Sequence, residues 1–397
     1  MTESAELVIV GCGPAGATAA RKAARAGVAV VALEKDAVVG AKRVCAAGLR
    51  PGFCEEFDLP RDIVHYDTPR LALFDAQGGE HALVFGPGHT STREELDGTI
   101  ARLAEEEGAQ IRTQALFRGI VRDGERTIVE YADLREGARK RIAARNVFLA
   151  QGATAVLEDA PFAFARWRDG LMTTLQYRVY LDRPAEPIAY RTLEMHYYLG
   201  LDGRQVVGWM FPKRDHLAIG LGVIGKMEGA KLRAELDVLT QRIRARLYPS
   251  AVVTRVKVEG HLLYMGAPRP HLAGDGVMLG GTAAGLVDAT NGEGIYEAAM
   301  SGRFAAQSLL AHRNDPRRAA QRYARAVTGR FVRRLQHRVR LMHFLERRPD
   351  RFRILFEQLA TTPRLPDILH GDARGRTFRD RCILYAQMAR FALRAAR

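Results

Sequence analysis

Glu6-Leu-Val-Ile-Val10 runs directly into Gly11-Cys-Gly-Pro-Ala-Gly16, and an alanine-rich stretch, Ala17 to Ala26, follows before Gly27. The β-branched run reads as a strand, the alanines as a helix, and Gly27 as its C-terminal stop. Val28 to Leu33 reads as a second strand, with Glu34 at its end. Glycines at the strand-to-helix turn of such a βαβ unit are the phosphate-binding start of a doubly wound fold. Gly11 permits the tight turn, Gly13 lets the backbone approach a pyrophosphate, and Gly16 lets helix and strand pack closely. Pro14 and Ala15 stand at the helix start, where free N–H groups and the positive dipole end face the phosphates. Glu34 lies 23 residues after Gly11, close to the ~20 expected of an acid that accepts adenosine ribose hydroxyls. Lys35, beside it, is grouped with these cofactor-binding residues. The unit implies dinucleotide binding.

Working outward, Arg93-Glu-Glu-Leu-Asp97 opens a helix running to about Gly108, and Asn146 to Gly152 reads as a strand ending in a glycine turn. Gly276-Val-Met-Leu-Gly-Gly281 is another strand, followed by Thr282-Ala-Ala-Gly285 and then by Asn291-Gly-Glu-Gly-Ile-Tyr296 at the head of a helix. A second glycine-rich strand-to-helix element favours FAD. It offers Gly281 and Thr282 to the pyrophosphate and ribityl end, and the turn Gly292, Glu293, Gly294 and Ile295 to the flavin ring. Leu171 to Leu181, Leu193 to Leu199, Gln205 to Phe211 and Ala218 to Val223 read as antiparallel strands, and residues 228–247 as an amphipathic helix. The fold class expected is therefore α/β with an α+β insertion. A Rossmann-like FAD-binding domain (residues 1–68, 93–155 and 272–310) holds an inserted antiparallel β-sheet substrate domain (69–92 and 156–271). Residues 311–397 form an Arg-rich helical C-terminal region.

Composition narrows the function. Of 397 residues 47% are hydrophobic and 26% charged, a globular balance that excludes disorder and fibrous repeats. No apolar run approaches the ~18 residues of a membrane span, and no signal peptide is read at the start. Four scattered cysteines suit neither a disulfide framework nor a metal site, so no metal is expected and a reducing cytoplasm is the default. The net charge is +15, yet residues 301–397 alone carry 23 Arg, no Lys and 7 acids, leaving residues 1–300 near neutral. Such a basic region can meet nucleic acid, an anionic membrane or acidic substrates. No nucleic-acid motif accompanies it, so no nucleic-acid partner is expected. Its last helix, Phe378 to Arg397, places Leu384, Met388, Phe391 and Ala395 on one stripe. That suits either packing on the body or an interfacial helix on anionic lipid. A cytoplasmic location, peripheral at the inner membrane surface, follows from the second reading.

The ordered motifs resemble the geranylgeranyl reductases, FAD enzymes of the p-hydroxybenzoate-hydroxylase-like fold, and within them the (bacterio)chlorophyll-type branch. The resemblance spans roughly residues 6–310. Beyond the residues above it rests on Lys42-Arg-Val-Cys45, Phe57-Asp-Leu-Pro60, Gly274-Asp-Gly276, Ser301-Gly302 and, most specifically, Gly208-Trp-Met-Phe-Pro-Lys-Arg-Asp-His216. It implies saturation of isoprenoid double bonds on geranylgeranyl diphosphate, a pigment ester or a lipid, with NADPH as electron donor to FAD. It implies that Cys45 is the pocket cysteine involved in the chemistry and that Arg93 contacts FAD. It also implies that Trp209, Phe211 and Pro212 wall a lipid pocket, with Lys213 and His216 near a substrate diphosphate or carboxylate. Four positions depart from the family pattern: Ala46 and Ala47 stand for two glycines, Val207 for Tyr, and Thr282 for Asp. A flavin monooxygenase of the same fold and a flavin-weak paralogue that binds isoprenoid or a protein partner without turnover are the rival readings.

Overall fold

The structure is a computed structural model and describes residues 3–41, 44–154, 162–182, 192–200, 202–348, 350–362, 364–370 and 377–396. Lys42 and Arg43 of the quoted motif, and Pro349 and Pro363, lie outside these residues.

Two sheets organise the chain. The first runs, in spatial order, Ala273–Gly274, Val277–Leu279, Ala138–Leu149, Glu3–Val10, Val30–Leu33 and Gln110–Arg112. Its four central pairings are parallel. Leu7 to Val10 are all buried, which is why they form an unbroken apolar run rather than an alternating one. The hairpin Ala115–Asp123 and Arg126–Asp133 extends this sheet from Ala138–Leu149. Helices Pro14–Arg25, Arg93–Glu106 and Ile295–Ala311 pack together beside it.

The second sheet runs Val253–Tyr264, Leu171–Leu181, Leu217–Ile224, Gln205–Pro212, Thr192–Leu199, Tyr66–Phe74, Glu80–Thr90 and Gly48–Leu49. It is antiparallel except where Thr192–Leu199 meets Tyr66–Phe74. Strand alternation sorts its side chains. Val206 and Met210 join a core with Leu232, Leu236, Leu239 and Ile243 of the helix Gly229–Leu247. Val207, Trp209 and Phe211 join a different apolar cluster, with Val44, Met172, Met195 and Tyr197. This period of two puts one row on each face.

The four expected substrate-domain strands form, each within a residue or two of its expected ends. Tyr66–Phe74 and Glu80–Thr90 were not expected as strands, and the boundary placed at 68/69 falls inside the first of them. Gly48–Leu49 also joins the second sheet.

The C-terminal region is packed on the body rather than appended to it. Pro316–Val327 continues through one wide turn, Thr328–Val332, into Arg333–Glu346. Pro366 lies near the start of the short helix Leu365–His370, where its missing N–H costs little. Val339, Met342, Leu345, Phe352 and Phe356 from this region complete the cluster around Trp209. In the last helix, Phe378–Ala396, Leu384 and Phe391 are half-buried and Ala395 is buried. Met388, expected on the same stripe, is exposed.

Candidate active site

The glycine turn has the shape a dinucleotide needs. Gly11 has φ +92°, and a Cβ there would stand 2.6 Å from the Ala150 carbonyl oxygen. A Cβ on Gly16 would stand 1.8 Å from the Gly11 carbonyl oxygen, so only glycine fits at either position. The helix Pro14–Arg25 starts here with Pro14 in its first turn. Glu34 folds back onto the loop: its carboxylate accepts the N–H of Cys12 at 3.0 Å and that of Asp36 at 3.1 Å. Lys35 points outward and pairs with Asp36 at 3.1 Å. Gln151, next to the Ala150 that crowds Gly11, buries its Oε1 with no partner among the described residues.

The second glycine element meets the first. Gly281, at φ +55°, would bring a Cβ to 3.2 Å from the Cβ atoms of Ala15 and Ala298. Its N–H donates to Ser301 Oγ at 3.0 Å, and Thr282 follows it half-buried. The close packing of helix Ile295–Ala311 on the first helix depends on Gly302, where a Cβ would meet the Ala15 carbonyl oxygen at 2.1 Å. Gly292 (φ +74°), Glu293 and Gly294 lead into that helix at Ile295. The Glu293 carboxylate is held by Arg50 at 2.6 Å, and its N–H donates to Asn291 Oδ1. Arg50 also pairs with the fully buried Glu297 at 2.8 Å, which Arg334 reaches at 2.6 Å. Glu293 therefore fixes the turn, which leaves the backbone of Gly294 and Ile295 as the polar groups it can offer.

Arg93 connects this cradle to Cys45. It is buried at the start of its helix, behind the N-cap Thr92, and is ion-paired with Asp97. Its Nη2 lies 3.4 Å from where a Gly13 Cβ would be, and Cys45 is close enough to act on its charge. Burial works against that charge, and Asp97 more than offsets it and raises the pKa. Lys213 is tied to the loop that carries Cys45. It is 1% exposed, and its Nζ donates to the Ala46 carbonyl at 2.5 Å. Burial lowers its pKa to about 7. His216 is also buried; desolvation pushes its pKa down to about 4, against the pull of Asp215 at 2.7 Å. Both side chains are interior groups.

Trp209 and Phe211 wall the apolar side. A Cβ on Gly48 would lie 2.6 Å from the Phe211 ring, so the Cys45–Gly48 loop packs directly on it. Pro212 ends the strand. Trp209 lies over Gly220, whose Cβ would come within 2.3 Å of the indole, and its Nε1 donates to Gln176 at 3.0 Å. From Gln176 a polar chain runs through Glu259 (3.4 Å) and Arg178 (3.0 Å) to Glu94 (2.7 Å), beside Arg93.

No family model matches the chain. Over 332 residues it is 27% identical to a geranylgeranyl diphosphate reductase of Synechocystis, covering 79% of this chain and 77% of that protein. It is 29% identical over 309 residues to a digeranylgeranylglycerophospholipid reductase of Methanopyrus kandleri, covering 76% and 79%. The chain is similar in sequence to geranylgeranyl reductases. The crystal structure of a geranylgeranyl bacteriochlorophyll reductase-like protein from Thermoplasma acidophilum superposes with a TM-score of 0.72 at 23% identity, covering 97% of this chain and 96% of that one. A flavin-dependent brominase superposes with a TM-score of 0.70 at 17% identity, covering 96% and 98%. These likenesses establish the fold, which is that of FAD-dependent enzymes.

The structure thus brings together Gly11, Gly13, Pro14, Ala15, Gly16, Glu34, Arg93, Gly281 and Thr282 at one end. Cys45, Lys213, Phe211 and Trp209 stand at the other. Lys35 stays outside this group. Arg50, Gln176 and Gly220 escaped the sequence reading, and Asp97 and Ser301 were quoted within motifs without a role of their own. Asp97 acts through Arg93 one helical turn away, and the other four through partners that only the fold brings near.

Proposed function

We propose that the protein is an FAD-dependent reductase that saturates double bonds of a geranylgeranyl or other prenyl chain, with NADPH as the source of electrons. The observation that carries this reading is the apolar cluster of Val44, Trp209, Phe211, Met195 and Val207, which meets Cys45 and Arg93 at the mouth of the dinucleotide cradle. FAD, when bound, supplies the hydride chemistry. Gly11, Gly13 and the helix start would hold its pyrophosphate, Glu34 its ribose, and Thr282 its ribityl chain. The Gly294–Ile295 backbone would meet the ring. Trp209 and Phe211 orient a chain that has no polar handle, and the surrounding side chains exclude water. A trisubstituted alkene also needs a proton at its second carbon, and Cys45 is an ionisable group on the loop that borders the apolar wall.

The outer face of the last helix fits a membrane surface. Phe378, Tyr385, Met388 and Leu393 are 83, 68, 57 and 71% exposed, and Arg379, Arg381, Arg390 and Arg394 share the helix. Among the described residues no helix is long and apolar enough to cross a membrane. An interfacial helix would bring the site to a lipid-borne chain. Co-sedimentation with anionic vesicles, lost in Leu393→Asp, is the expected result; equal binding by both proteins would refute it.

The deciding experiment is the visible spectrum of the purified protein under nitrogen, reduced with dithionite and then given geranylgeranyl diphosphate. A flavin band that bleaches and returns only with the prenyl compound is expected. A protein that takes up no flavin from excess FAD would sink the reading.

A further inference from the structure

The turn that would meet the flavin ring is gripped from both sides by the C-terminal helices. Gly292 and Gly294 leave its backbone little stiffness of its own. Asp288 closes it from within. Its Oδ1 accepts the Thr290 N–H at 3.0 Å and the Thr290 hydroxyl at 2.6 Å, and its backbone carbonyl accepts the Gly292 N–H at 2.8 Å. Its Oδ2 faces Arg338 Nε at 3.2 Å. After the turn, Glu297 stands in the first turn of its helix. One of its carboxylate oxygens accepts from both Arg334 Nη2 at 2.6 Å and Arg50 Nη2 at 2.8 Å. Arg334 and Arg338 lie one helical turn apart on Arg333–Glu346, so a single helix face holds the acids before and after Gly292–Ile295. The helix Asp350–Thr361 adds a third tie. Phe352 stacks on Tyr197 with ring centres 5.3 Å apart, and the Tyr197 hydroxyl donates to the Thr290 carbonyl at 2.7 Å.

The two ion pairs are not what attaches the helices. Leu335 is buried in the core beside the first sheet, and Val339, Met342 and Leu345 are buried in the cluster around Trp209. Asp288 is 3% exposed and Glu297 is fully buried. Pairs this deep add little net stability, because desolvation offsets their attraction. Removing one cation, however, leaves a buried carboxylate short of its partner, and the backbone that carries it must shift to find another.

We propose that Arg334 and Arg338 are positioning residues for the cofactor, which set the Gly292–Ile295 turn through Glu297 and Asp288. This deepens the flavin reading of the site and rests on it. The backbone of Gly294 and Ile295 is held toward the ring while Arg333–Glu346 and Asp350–Thr361 are docked. Coupling of this kind is reciprocal: whatever the docked helices add to FAD affinity, bound FAD returns as stability of their docking.

The test is hydrogen exchange of the full-length protein, stripped of flavin and measured with and without saturating FAD, read by mass spectrometry. FAD is expected to slow exchange about fivefold or more in peptides from 333–346 and 350–361. Arg334→Met together with Arg338→Met should weaken FAD binding about fivefold or more in equilibrium dialysis. It should also abolish the protection of both helices, while FAD still protects the Gly11–Gly16 loop. Arg334→Lys with Arg338→Lys should keep most of that protection. Arg246→Met removes the partner of another buried acid, Glu194 in the second sheet, and should leave FAD affinity unchanged. A merely structural role for Arg334 and Arg338 would lower stability but leave FAD affinity and the exchange difference as in the wild type. Uptake of FAD with no slowing in either helix, or wild-type affinity in the Met double variant, would overturn the proposal. If the Met variant does not fold, the wild-type exchange difference decides alone. No uptake of FAD by the wild type would overturn the flavin reading as well, so the two failures are told apart.

Discussion

Gly220 makes a sharp demand on the wall of the site, and replacing it with alanine tests the wall directly. Gly220 lies between Trp209 on one neighbouring strand and Gln176 on the other, directly opposite both. The indole crosses over it to reach Gln176, which is possible because no side chain rises between them. An alanine Cβ would meet Cζ2, Cε2 and Nε1 of Trp209 at 2.3, 2.4 and 2.7 Å. Ordinary carbon contacts lie at about 3.5–4.0 Å, so the ring must move by about 1 Å. Overpacking of this kind costs about 1–3 kcal/mol, and the lost hydrogen bond about 1 kcal/mol more. Alanine in a strand returns about 0.5–1 kcal/mol over glycine. The net loss expected for Gly220→Ala is about 2 kcal/mol. Trp209 emission, followed in a Trp167→Phe background, should shift red as the indole leaves its buried seat. In a Gln176→Ala background the indole is already free to yield, so the same substitution should cost about 1 kcal/mol less. Unchanged emission and stability in Gly220→Ala, or strictly additive effects in the double variant, would refute the bridge.

Two other buried positions, Gly302 and His216, are open to the same kind of test. Gly302→Ala would push against the Ala15 carbonyl at 2.1 Å and the Ala19 N–H at 3.0 Å, which are backbone atoms that cannot swing aside. It should lose about 1–3 kcal/mol and weaken FAD retention in equilibrium dialysis, whereas Gly98→Ala, with nothing nearer than 3.9 Å, should gain about 0.5–1 kcal/mol; equal stabilities would count against the packing described. His216 has a folded pKa of about 4 against 6.5; the unfolded chain binds the proton first, so stability should fall as pH drops from about 6.5 to 4, by up to about 3 kcal/mol. Denaturation midpoints for His216→Gln should be flatter across that window, and an identical slope would refute the assignment.

The glycine turn, both strands around it and Glu34 were legible because each is a local pattern with a fixed spacing. The substrate-sheet strands were legible because Gln205–Pro212 and its neighbours alternate or run apolar over a full strand length. Tyr66–Phe74 and Glu80–Thr90 were not, because they carry Pro69, Gly86, Pro87 and Gly88, residues that speak against a strand interior. Their pairing partners supply what propensity does not. The role of the C-terminal helices was hidden for a different reason. Their Arg content describes the solvent face, while Val339, Phe352 and Phe356, which do the packing, are too sparse to reveal their target. The burial of Lys213 was hidden on the same ground: nothing in a Lys-Arg-Asp-His run signals an interior residue, and only its contacts with Phe211 and the Ala46 carbonyl make it one.

The loop at Cys45 carries two of the four positions at which the chain departs from the motif pattern it resembles, and the backbone says what that departure costs. Ala47 sits at φ +44° and is 1% exposed. An L-residue in the left-handed region costs about 1–2 kcal/mol that glycine would not. The conformation is held from outside: the Ala47 carbonyl accepts the Ser91 N–H at 3.0 Å, and the Ala46 carbonyl accepts Lys213. Strain of this order persists where surroundings over-determine it, as at ligand sites. The methyl group of Ala46 also joins the cluster around Trp209. The two alanines therefore narrow the space beside Cys45 and stiffen the loop that carries it. On this view they tune which chain fits against Phe211. Ala46→Gly and Ala47→Gly together should broaden the range of prenyl lengths that reoxidise the reduced flavin; an unchanged range would mean that the methyl groups do not set the fit.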